Sequence, residues 1–145
     1  MATQSVMKDW KSGPTWPLGL IVVAAAGTPV GIMSLVDPSS VNAPETATTA
    51  SSDEYTSCFQ QLMFQGFKAN TDGLQTNAGN VYIMRKGVQG LGNRDDYGAM
   101  VAVLLPGQTI FISSAPRVRD TFSGYQFYID ADNNGDSALV TGFVQ

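Results

Sequence analysis

The chain has 145 residues, 43% of them hydrophobic and only 14% charged, with a formal net charge of −4. That length suits one domain with one core, and the acidic balance excludes the basic footprint a nucleic-acid binder needs to displace counterions. There is no histidine and a single cysteine, Cys58, which excludes Ser-His-Asp and Cys-His catalysis, His-ligated zinc and an internal disulfide.

Residues 1–17 show no sustained hydrophobic period, yet they hold Met1, Met7, Trp10 and Trp16. Side chains of this size need burial. The segment is therefore expected to be an irregular arm, docked on its own domain or on a neighbour, ahead of a single domain spanning residues 18–145. The apolar run at 18–26 (LGLIVVAAA) covers nine residues, far short of the ~20 that cross a bilayer. Asp9, Pro14 and Pro17 also interrupt the approach to any secretory signal. The run reads as a buried strand of a protein made in the cytoplasm, with no membrane partner.

Residues 18–25 and 30–36 read as two strands joined through Gly27-Thr28-Pro29, in hairpin fashion. Residues 37–57 then change composition to Ser, Thr, Ala and Pro. At about 20 residues this is longer than ordinary loops, which marks it as functional, docked on a partner or mobile. Residues 58–69 alternate as a strand, with Leu62, Phe64 and Gly66 on one face, and Cys58 beside Phe59 is expected to be a buried, inert thiol. A turn-rich loop at 70–80 precedes a compact strand at 81–85, and a glycine-rich excursion occupies 88–98. Residues 99–105 read as a buried strand whose partner is 108–113, joined by a type II turn with Pro106 fixing φ and Gly107 supplying a positive φ. A connecting loop at 115–124 leads to a terminal hairpin at 125–145, turning at Asp130-Ala-Asp-Asn-Asn-Gly-Asp136, with that acidic turn facing solvent. The sum is an all-β chain: a β-sandwich, jelly-roll-like, of about eight strands.

Three constellations invite a chemical reading. Asp130, Asp132, Asn134 and Asp136 place oxygens as a calcium loop opens, with Gly135 at its sixth position, but the twelfth position is Thr141 and lacks the closing carboxylate. The segment Ile129-Asp-Ala-Asp132 with Gly135-Asp136 resembles part of the trimeric dUTPases. Asn133 stands where that family stacks a tyrosine on uracil, and the phosphate-binding and closing motifs do not occur. The glycines at 87, 90 and 92 precede no Gly-Lys-Ser/Thr, and the acidic pairs Asp53/Glu54 and Asp95/Asp96 are adjacent rather than opposed. The expectation is a protein without enzymatic activity or cofactor, whose acidic turn caps itself through Asx side chains.

Asn80-Val-Tyr-Ile-Met-Arg-Lys-Gly87, Leu105-Pro-Gly-Gln-Thr-Ile-Phe111 and Tyr128-Ile-Asp-Ala-Asp-Asn-Asn-Gly-Asp136 occur in this order. Together they resemble small tailed-bacteriophage virion proteins of the capsid decoration or cement type, over residues 55–145. The resemblance implies a β-sandwich or jelly-roll protomer, trimeric, seated on the major capsid protein of the same virion. Trp10 and Trp16 of the arm, and Pro44 and Tyr55 of the long loop, are the expected contact residues. The alternatives are a tail or head–tail adaptor or fibre-anchoring protein, or a carbohydrate-binding sandwich. The last would display aromatics such as Tyr82, Tyr97, Tyr125 and Tyr128 in an exposed row.

Overall fold

The structure is a computed structural model that describes residues 15–36, 58–85, 100–113 and 122–143. Its strands in chain order are β1 (Thr15–Val22), β2 (Val30–Gly31), β3 (Cys58–Phe59), β4 (Gln61–Gln65), β5 (Phe67–Asn70), β6 (Gly73–Thr76), β7 (Val81–Arg85), β8 (Met100–Leu104), β9 (Thr109–Ser113), β10 (Phe122–Ser123), β11 (Phe127–Ala131) and β12 (Ser137–Phe143). Eight of them form two four-stranded antiparallel sheets, in the orders β1-β12-β4-β9 and β2-β11-β7-β8. The remaining strands pair as β5 with β6 and as β3 with β10. The expected all-β sandwich is present, and eight strands build it.

The connections follow jelly-roll order. The chain leaves the first sheet for the second between β1 and β2, and again between β4 and β7 by way of the β5–β6 hairpin. It returns between β8 and β9 and between β11 and β12, and two further changes of sheet lie between β2 and β4 and between β9 and β11. The registers Val22↔Ser137, Leu139↔Gln65 and Gln65↔Thr109 in one sheet, and Ala131↔Val81 and Val81↔Leu104 in the other, put the β1–β2, β4–β7, β8–β9 and β11–β12 crossings at one end of the sandwich.

Alternation along the strands fills one core between the sheets. Leu62 and Phe64 of β4, Ala138 and Val140 of β12, Val81 and Ile83 of β7, and Phe127, Ile129 and Ala131 of β11 all point into it. Burying each of the larger side chains contributes about 1.5–3 kcal/mol. In β1 the buried residues are Leu18 and Ile21, three apart rather than two. A bulge between Pro17 and Gly19 inserts one residue, and Gly19 takes the positive φ of +99° that such a kink requires. Trp16 stands in register with Gly142 and meets Phe59 edge to face, with ring centroids 6.0 Å apart.

Several sequence expectations are corrected. The terminal segment is not a hairpin: β11 and β12 lie in opposite sheets. Facing sheets stand about 10 Å apart, and the five residues 132–136 span that gap readily at ~3.3 Å each. The same holds for residues 18–25 and 30–36, because β1 and β2 are in different sheets, and residues 32–36 form turns after a two-residue strand. The Pro106-Gly107 turn has its expected form, with Gln108 N–H donating to the Leu105 carbonyl and Gly107 at φ +75°. It too joins separate sheets, however, and β8 is an edge strand with Val101 exposed rather than a buried one. The loop at 70–80 contains β6 and the turn that pairs it with β5, at Thr71-Asp72, with the Asn70 side chain accepting the Thr71 N–H. The strand at 58–69 is broken at Gly66, whose backbone bonds instead to Asn77, Gly107 and Gln108. The arm boundary shifts as well, since Thr15, Trp16 and Pro17 open β1. Residues 37–57 and 88–98 lie outside the described residues, and Cys58 is placed in β3 by its backbone alone.

A Cβ at Gly142 would run into the buried Phe59 ring. Overpacking of this kind costs about 1–3 kcal/mol. Gly142→Ala is therefore expected to lower the urea midpoint with the slope unchanged, and Gly142→Val to lower it further, by equilibrium denaturation followed by circular dichroism.

Candidate functional site

The residues singled out as a possible cation loop lie at the end where the four crossings gather. Asp130 closes β11 just before its last residue, and Asp136 immediately precedes β12. Both carboxylates are completely buried, while residues 132–135 between them are exposed. The solvent-facing turn expected from the sequence is thus exposed only at its tip. Its two ends sit inside the corner because the chain must pass from one layer to the other there.

Each end is held by backbone donors. Asp136 Oδ1 accepts the Ala78 N–H at 2.9 Å, and Oδ2 accepts the Gly79 N–H at 2.8 Å. Lys68 Nζ lies 3.5 Å from Oδ1. Asp130 Oδ1 accepts the N–H of Gly27 and of Ala131, both at 2.8 Å. Asn134 Oδ1 accepts the Ala26 N–H at 2.8 Å. Asp132, at the exposed tip, accepts from the Tyr82 hydroxyl at 3.0 and 3.1 Å, and its own N–H donates to the Asn80 carbonyl.

The backbone completes the stitching. Val23 N–H donates to the Asp136 carbonyl at 2.9 Å, and Gly135 N–H donates to the Val23 carbonyl at 2.7 Å. On the other flank the buried Asn77 side chain acts as a short length of strand. Its Nδ2 donates to the Ser137 carbonyl at 2.7 Å, and its Oδ1 accepts the Ser137 N–H at 3.0 Å. Ser137 Oγ donates to the Phe67 carbonyl at 2.8 Å. Segment 130–136 is therefore fastened to residues 23–27 on one side and to residues 66–80 on the other.

This geometry uses the four candidate oxygens separately. Asp130 and Asn134 bind the β1–β2 crossing, Asp136 binds the β6–β7 connection, and Asp132 binds Tyr82. Among the described residues no three carboxylate or thiol groups gather as a metal set. What the arrangement does chemically is immobilise a corner: buried polar groups are satisfied by one another, and three crossings are tied together.

The other candidates lie elsewhere. Trp16 is half-buried in β1 against Phe59 and the core, at the end of β1 away from the corner. Trp10, Pro44 and Tyr55 lie outside the described residues. The proposed aromatic row is not assembled from its described members, since Tyr128 is completely buried beside Met84 and the Tyr82 hydroxyl is engaged by Asp132. Tyr97 and the Tyr125 side chain are outside the described residues. Sequence reasoning missed Asn77 and Lys68. The available signal was small: Asn77-Ala-Gly79 offers two small residues where a carboxylate approaches the backbone, and a Cβ at Gly79 would strike the Asn133 side chain.

A comparison of the chain with protein-family models, with curated proteins and with solved structures finds no match.

Removing the Asp136 carboxylate strands two backbone N–H groups and Lys68. At about 1–3 kcal/mol for each buried group left unsatisfied, Asp136→Ala is expected to cost about 3 kcal/mol or more. Asp132→Ala, at the exposed tip, should cost under about 1 kcal/mol. Urea denaturation of the two variants measures the difference. Adding calcium should leave the thermal midpoint of the parent protein unchanged, whereas a rise would reassign the corner as a cation site.

Proposed function

We propose that this chain is a structural virion protein, a decoration or cement protein that binds the assembled head of a tailed bacteriophage and stabilises it. One observation carries the reading. The carboxylates and the Asn134 amide of segment 130–136 are engaged in holding the fold, while apolar side chains such as Val101, Leu105 and Phe111 stay exposed on the described surface. A protein built this way acts by burying surface against other proteins. The low share of charged residues supports the same reading, as does the likeness of residues 55–145 to virion proteins of this kind. A jelly-roll scaffold hosts many functions and adds no further weight. The engagement of Tyr82 and the burial of Tyr128 count against a carbohydrate-binding sandwich.

The mechanism is mass action. A ligand that binds the assembled shell and not its dissociated subunits stabilises the shell by RT ln(1 + [L]/Kd). The partner is the major capsid protein, and the arm and the loop at 37–57 supply the contacts. The test is co-sedimentation of the purified chain with phage heads that lack it, alongside isolated tails and a glycan array. Binding to heads together with a higher temperature of head rupture is the expected result. Deletion of residues 1–14, which leaves β1 whole, should weaken head binding by about tenfold or more, as loss of an aromatic anchor does. Binding to tails or glycans alone overturns the proposal.

A further inference from the structure

Among the described residues the sandwich has four edge strands, and they are not equally guarded. β1 carries Pro17 and a bulge, and β2 is two residues long. Proline, bulges and brevity are the ordinary means of preventing edge-to-edge association. On the opposite flank β8 is irregular at Val101, which its pairing with β7 skips, and only β9 has none of these. The stretch from Met100 to Ser113 (MVAVLLPGQTIFIS) contains no charged residue. β9 runs without a bulge against β4, its one strand partner among the described residues.

The phase of that pairing defines what β9 offers to the outside. Gly66 N–H donates to the Gln108 carbonyl at 2.9 Å. In the alternating pattern of an antiparallel ladder, Ile110 and Ile112 then turn their backbone groups to β4, opposite Phe64 and Leu62, and Thr109, Phe111 and Ser113 turn theirs to the free edge. The side chains of these same three residues are exposed, Phe111 by 54%. The set is symmetric about Phe111, with a hydroxyl residue two positions away on each side.

We propose that two copies of this chain join through their β9 edges, antiparallel about Phe111, making one continuous eight-stranded sheet. In this register Phe111 faces Phe111 of the second copy, and each Thr109 faces a Ser113. All three are hydrogen-bonded pairs, giving about six backbone hydrogen bonds at two per pair. The facing side chains are an aromatic pair flanked by hydroxyl pairs, combinations that stabilise sheets. The occupant is a second copy because the edge complements itself: its donors and acceptors match on reversal, and no charge opposes the approach. Phe111 already lies 6.4 Å from Phe143 by ring centroids, so the pairing would extend an aromatic band across the twofold axis.

The inference does not rest on the virion reading, because its test uses the isolated full-length chain. Sedimentation equilibrium should find a dimer. Phe111→Lys sets two ammonium groups opposite each other and should weaken association by more than about tenfold, with the circular dichroism spectrum retained. Phe111→Glu should do the same alone, and an equimolar mixture of the two should regain dimers. If substitution at Phe111 unfolds the chain, the double variant Thr109→Lys, Ser113→Lys places lysines opposite one another at both flanking pairs and should also dissociate the dimer. A monomer at every concentration overturns the proposal, and so does a dimer or trimer that these changes leave intact.

Discussion

Asp136 places a carboxylate, fully excluded from water, where the chain passes between the two layers of the sandwich. Withdrawing such a group from water costs several kcal/mol unless other donors replace the lost hydration. Here the donors are the consecutive N–H groups of Ala78 and Gly79, with Lys68 beside them. Those N–H groups belong to a connection that cannot join a ladder while it changes sheets, so they need a partner of their own. Carboxylate and connection therefore resolve each other's deficit. Asn77 does the equivalent work one step along, standing in as a strand neighbour for Ser137.

The consequence spreads because jelly-roll order brings four of the sheet changes to the same end. Fixing segment 130–136 also fixes the β1–β2 crossing, through Val23, Ala26 and Gly27. The β8–β9 turn is joined in turn through Gly66, whose carbonyl accepts from both Asn77 and Gly107. A Cβ at Gly66 would press on the Leu105 carbonyl at 2.6 Å, so this junction depends on close backbone approach. Arg85, Met100 and Ser113 lie at the opposite end of their sheets. One pole of the sandwich is thus a stitched corner.

Much of this was legible in the sequence, and the errors share a physical origin. The strand at 81–85 and the turn at Pro106-Gly107 were readable because period and turn chemistry are local properties. Which sheet a strand joins is not local. Asp-Asn-Asn-Gly and Pro-Gly serve a crossing between layers as well as a hairpin, since both need a tight reversal with a positive φ. Residues 127–131 are buried throughout in the fold, a result of what covers both faces of β11 that the letters Phe-Tyr-Ile-Asp-Ala do not announce. The apparent cation loop failed for a related reason. Its oxygens follow the spacing of a calcium site, yet they are drawn apart towards donors up to 108 residues away in the chain, and no local pattern announces such distant partners.

The edges of the sandwich differ in their backbone and not in their charge. Residues 12–36 hold no charged side chain, and neither does the stretch from Met100 to Ser113, so both flanks share the sparse charge of the whole chain. What separates the edges is their regularity: β1 has Pro17 and a bulge, β2 has two residues and β8 is irregular at Val101, whereas β9 pairs evenly along β4. A regular edge beside an exposed Phe111 is the combination that recruits another strand. Low charge alone would leave all four edges equally open, so the difference ties contact to one strand, with the stitched corner at one end setting the register in which β9 presents it.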